Sequence, residues 1–75
     1  MKELVEFIAK SLVDNPDQVI VNEITREESL VFELKVAPED MGKVIGKQGR
    51  IAKAIRTVIK AAAVKQNKRV IVEII

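Results

Sequence analysis

Residues 30–36, LVFELKV, alternate without a break: Leu30, Phe32, Leu34 and Val36 share one side, and Val31, Glu33 and Lys35 share the other. A period of two in residues of this kind marks a strand with one buried face. The stretch 18–25 (QVIVNEIT) is short and rich in β-branched residues, which suits a second strand. REES lies between the two and turns the chain, so a hairpin is expected. Residues 69–75 (RVIVEII) read as a third strand.

Helices fill the intervals. Residues 2–13 set Leu4, Val5, Ile8 and Leu12 at helical spacing, with Phe7 beside them and charges opposite. Asp14-Asn15-Pro16 ends that helix. Pro38 then stands at a first helical position, with Glu39 and Asp40 in the first turn, where acids suit the positive end of a helix. This short helix, 38–45, gives way at the glycines to a longer one expected from Arg50 to about Gln66. The order is α-β-β-α-α-β. The last two strands, joined by a helical crossover, are expected to lie parallel. The predicted fold class is α+β: a three-stranded sheet covered on one face by three helices.

Composition sets further bounds. The chain has 75 residues, two aromatics (Phe7 and Phe32) and no Cys, so the core is aliphatic and thiolate chemistry is excluded. The N-terminal MKELVEFIAKSLV carries Glu3, Glu6 and Lys10 among its apolar residues, unlike a signal peptide, and no stretch is apolar enough for a membrane span. A cytoplasmic protein with no membrane partner is expected.

The net charge of +2 hides an asymmetry. Ten of the eleven acids lie in residues 1–40, whereas 41–72 hold nine bases and no acid. A charge run is usually a solvated face. This one repels itself over a long stretch, which points to an anionic partner.

The chain's three glycines all lie in GKVIGKQGRI, residues 42–51. A helix ending in glycine is ordinary, and Gly46 fits that role. Gly49, three residues on and directly before the next helix, does not. Two glycines turn the backbone tightly and leave no Cβ outside the turn, so a ligand's backbone can approach closely. The unpaired N–H groups of the following helix face the same spot, and Lys47 and Arg50 add full charges. A phosphate seat is expected. A nucleotide-binding loop is disfavoured, because the glycine spacing is wrong and no Ser or Thr follows Lys47. A DNA-reading helix-turn-helix is an alternative, opposed by the paired glycines and the three strands.

VIGKQGRI resembles the signature of KH domains, an apolar pair followed by Gly-x-x-Gly and x-Ile. The element order resembles the type II, bacterial arrangement, and a chain of this length resembles the small bacterial KhpA family over the whole of 1–75, read as one KH domain. The resemblance implies that Gly46, Lys47, Gln48 and Gly49 clamp the backbone of about four single-stranded nucleotides. It also implies that Val44, Ile45 and Ile51 floor an apolar groove for the bases, and that Lys43, Arg50 and Lys53 steer the strand. It further implies homodimers or pairing with a larger KH protein of the Jag family, and an RNA chaperone or post-transcriptional role tied to cell division and cell shape.

Along the long helix, Ile51, Ile55, Val58 and Ala62 share one side, read as core, opposite Lys53, Arg56 and Lys60. Ala52, Ile59 and Ala63 line one edge, and Ala54 and Ala61 the other. Small residues there admit a close helix partner, although alanine is also simply a good helix former. The first edge is the expected dimer interface. An enzyme is disfavoured: His, Cys, Tyr and Trp are absent, and the remaining reactive side chains are not grouped. No cofactor or metal is expected. The leading reading is a single-stranded RNA-binding module; the alternative is a dimerisation module whose RNA contact is secondary.

Overall fold

The computed structural model describes residues 1–64 and 67–75. Helix α1 spans Lys2–Leu12. Strands β1 (Ile20–Thr25) and β2 (Ser29–Lys35) form the antiparallel hairpin, with Val21 opposite Leu34 and Glu23 opposite Phe32. The turn closes on a bond from the Arg26 N–H to the Ser29 carbonyl at 2.8 Å. Helices α2 (Met41–Ile45) and α3 (Arg50–Ala62) follow, and strand β3 (Arg69–Ile74) pairs parallel to β2. The result is α+β: a mixed sheet in the order β1-β2-β3 with three helices, in agreement with the expected type II KH arrangement.

The alternation of β2 decides where the core lies. Phe32 and Leu34 are fully buried and cluster with Val21, Val70 and Val72 from the flanking strands. Val5 and Ala9 of α1, Val44 of α2, and Ile55 and Ile59 of α3 close over that face. Each large side chain so buried contributes about 1.5–3 kcal/mol. Val31 departs from the expected pattern: it points to the helix-free face and is still buried. In register, Ile24 and Ile71 flank it on the neighbouring strands, and this cross-strand row covers it without a helix.

Other departures have local causes. Strand β1 starts at Ile20, not Gln18, because Pro16–Gln18 forms a 3-10 turn that begins with proline. Pro38–Asp40 is likewise a 3-10 turn, so α2 proper begins at Met41. Helix α3 ends at Ala62, and the Ala63 N–H bonds both the Ile59 and Lys60 carbonyls in a closing turn. The expected extension to Gln66 falls outside the described residues.

The buried stripe of α3 is also rotated from the expected one. Ala52, Ile55, Ile59 and Ala63 face inward, whereas Val58 is 48% exposed and Ala62 is exposed. The edge expected to form a dimer interface is therefore core. More than half the circumference of α3 is apolar, so period alone does not identify the side that packs; contact with β2 and β3 does. On α1, Phe7 is 69% exposed rather than packed beside the stripe.

Candidate nucleic-acid interface

The glycine loop joins α2 to α3 through one 3-10 turn, Lys47–Gly49. Gly46 has φ 75° and ψ 174°, and Gly49 has φ 74° and ψ 14°. Between them Gln48 is left-handed as well, at φ 58°. Three residues at positive φ within four reverse the chain tightly, and the two that are glycines add no side chain to it. The Gly49 N–H closes the turn on the Gly46 carbonyl at 3.2 Å.

The two glycines serve different ends. A Cβ on Gly46 would lie 2.5 Å from Ile51 Cγ1, so this glycine lets Ile51 pack beneath the turn. A Cβ on Gly49 would meet nothing within 4 Å. Its bare face opens to solvent at the start of α3, whose N-cap it forms without any side-chain capping bond. The positive dipole end of a 13-residue helix lies at this rim, where the Arg50 N–H is already bound to the Lys47 carbonyl. Gly42 has ordinary helical backbone and nothing within 4 Å of its Cβ position, so neither conformation nor packing within the chain requires glycine there.

The structure divides the expected site residues. Lys47, Gln48, Arg50 and Lys53 are exposed around the turn. Among the described residues none of their charged groups enters a salt bridge. Ile45 is exposed and Ile51 half-buried, so both border the loop. Val44 is fully buried in the core and lines no groove, because its side of α2 packs into the core cluster. Lys43 is tied away from the loop: its ammonium bonds Asp14 and lies 3.7 Å from Asp40. Hydrogen-bonded to Asp14, it is held charged to higher pH than an ordinary lysine.

Asp40 was expected to serve only the helix dipole. It is instead fully buried and accepts the backbone N–H groups of Asp14 and Asn15, and the Asn15 amide at 2.9 Å. This clasp fixes the segment after α1 against the start of α2, and so sets the position of the glycine loop. Burial works to raise its pKa, but the Asn15 and backbone donors, aided by Lys43, outweigh burial and lower it. A carboxyl depressed on folding stabilises fully above the ordinary aspartate range, near pH 4, and loses that contribution as pH falls through its folded value. Thermal melts should accordingly show Asp40→Asn below the parent at pH 7, with the gap closing below about pH 4. A gap independent of pH would assign the loss to packing.

One surface was not anticipated. A groove between α3 and β3 is lined by Arg56, Lys60, Arg69, Val70, Ile71 and Val72. It continues towards Lys68 at the far end of α3. Arg56 Nε donates to the Val72 carbonyl at 3.1 Å, so the guanidinium lies along the open edge of β3. The signal was present in the sequence, as Lys53, Arg56 and Lys60 share one side of the helix; what the pattern lacked was that this side borders a strand edge. On the opposite side of α3, towards α1, Ile8, Leu12, Ile51, Ala54 and Val58 form a mostly apolar groove that Arg50 also lines.

A family model described as "KhpA/KhpB, KH domain" matches residues 2–74. The RNA-binding protein KhpA of Clostridium acetobutylicum is 80% identical over the full length of both chains. That of Clostridium perfringens is 77% identical, again over all of both. The Aquifex aeolicus relative of the same name is 55% identical over all of this chain and 95% of its own. No solved structure matches the chain.

Proposed function

The chain belongs to the KhpA/KhpB family of KH domains, and from that membership we propose that it binds single-stranded RNA, without catalysis, through the Gly46–Gly49 turn. The observation that carries the reading is the open rim at Gly49: a bare Cα at a helix start that has no side-chain cap, and the charges of Lys47, Arg50 and Lys53 at one place. A sugar-phosphate backbone is the anionic partner that fits, since it needs close approach, N–H donors and distributed positive charge. RNA-binding relatives of high identity support RNA as the ligand. The basic α3–β3 groove extends the track for the bases, and aliphatic walls take the place of aromatic stacking.

Titration of single-stranded RNA against salt tests this. The logarithm of the affinity should fall with log salt by roughly 0.7 per phosphate contacted, for a slope near 3 if four basic groups engage. A flat salt dependence would remove the electrostatic seat from the account.

A second reading, self-association, has its own observation. Val58 is 48% exposed and stands with exposed Ala54, Ala61 and Leu12 on a mostly apolar side of α3, where Arg50 is the one charged lining residue. A second copy is the occupant proposed: small residues allow two helices to approach, an isologous contact sets each band against itself, and paired copies gain avidity for RNA. Val58→Asp should shift the sedimentation profile to monomer with little change in melting point. An unchanged profile would sink this reading. Pairing with a larger Jag-type KH protein, and a cellular role as RNA chaperone or post-transcriptional regulator linked to cell division and cell shape, rest on the family resemblance alone. So does the reading of 1–75 as a single KH domain.

A further inference from the structure

Lys43 lies on α2, two residues before the end of the helix that leads into the glycine turn. It points elsewhere. Its ammonium bonds the carboxylate of Asp14, from the segment after α1, and faces Asp40 at 3.7 Å. The three groups sum to one net negative charge beside a seat for anions. Asp40 is already committed, with three N–H donors of its own. The Asp14 side chain is 77% exposed and among the described residues bonds nothing but Lys43. It contributes little to holding the fold, since the Asp14 backbone N–H already makes the clasp to Asp40 and an exposed ion pair is worth at most about 1 kcal/mol.

We propose that Asp14 is a positioning residue that sets RNA affinity: by pairing Lys43 it withholds one cation from the phosphate track and keeps the binding at the turn weaker than the basic half of the chain would allow. The inference rests on the RNA reading above. The restraint is carried by a side chain outside the loop itself.

Asp14→Asn frees Lys43 to meet a phosphate while preserving the backbone clasp. One added contact steepens the salt slope by roughly 0.7, equivalent to about a five-fold gain in affinity at 0.1 M salt. The experiment titrates an unstructured single-stranded RNA across a salt series. It uses the parent, Asp14→Asn, Asp14→Asn with Lys43→Ala, and the loop variant Lys47→Asp/Gln48→Asp. The expected result is tighter binding and a steeper slope for Asp14→Asn, both lost on adding Lys43→Ala, with melting points within a few degrees. If the loop variant loses RNA but Asp14→Asn matches the parent in affinity and slope, the proposal is overturned and the RNA reading stands. A merely structural ion pair would lower the melting point of Asp14→Asn and leave the slope alone, which also overturns it. If the loop variant binds as the parent does, or the parent binds no RNA, the reading beneath fails and the proposal falls with it.

Discussion

Replacing Lys47 and Gln48 together by Asp should weaken single-stranded RNA binding by roughly 100-fold at 0.1 M salt and leave the circular dichroism spectrum and melting point nearly unchanged. The size follows from charge. The pair of changes alters the turn by three units, and at roughly 0.7 in log affinity per unit and per decade of salt this is about two decades. The selectivity for binding over folding follows from geometry. Both side chains are exposed, and neither joins the core. Gln48 is left-handed at φ 58°, a conformation that aspartate tolerates better than most residues. Affinity surviving within a few-fold would mean that the turn is not the seat.

Gly46→Ala should do the reverse and damage the fold before the binding. At φ 75° and ψ 174° the backbone lies where only glycine is at ease. The new Cβ would also stand 2.5 Å from Ile51 Cγ1, 2.8 Å from its Cδ1 and 2.9 Å from its Cβ. Ile51, the second residue of α3, is packed against the core, so it has little room to retreat. Strain and overpacking together cost about 2–6 kcal/mol, which lowers the melting temperature of a domain this small by at least about 10 °C. Gly49→Ala provides the contrast. It carries left-handed strain of about 1–2 kcal/mol and meets no atom within 4 Å, so it should stay folded at room temperature while obstructing a ligand at the rim. Melts of the two variants side by side separate the structural glycine from the open one. A Gly46→Ala variant melting within a few degrees of the parent would contradict the packing of Ile51 under the turn.

The strand order, the hairpin and the helices flanking the glycines were legible because each rests on a local period or a local breaker: the alternation of residues 30–36, Pro16, Pro38, Gly46. The pairing of β3 with β2 in parallel followed from the helical crossover. Rotation about a helix axis was not legible. Helix α3 is apolar over so much of its surface that Val58 and Ile59 were exchanged, Val58 being assigned to the core and Ile59 to an interface, when the sheet buries Ile59 and leaves Val58 outside. Val44 shows the same limit from the other side, since an apolar residue beside a binding turn is more often part of the floor that supports it.

Long-range partners were the other blind spot. Nothing in Asp14-Asn15-Pro16 announces that its N–H groups are bound by Asp40, 25 and 26 residues away. Nor does the position of Lys43, one turn from the glycines, show that Asp14 holds it. Both depend on the tertiary meeting of the segment after α1 with α2. The charge asymmetry of the sequence was sound as a count, and the fold refines it: Lys43 is paired with acids of the first half, and Arg56 lies along a strand edge that no pattern in the chain identifies.

The most direct measurement is a map of backbone amide chemical shifts as an unstructured single-stranded RNA is added to the protein. The account predicts that the largest changes fall on Gly46 to Ala52, with a second set following Lys53, Arg56 and Lys60 towards β3. Largest changes on Ile8, Leu12, Ala54 and Val58, with the glycine turn silent, would contradict it.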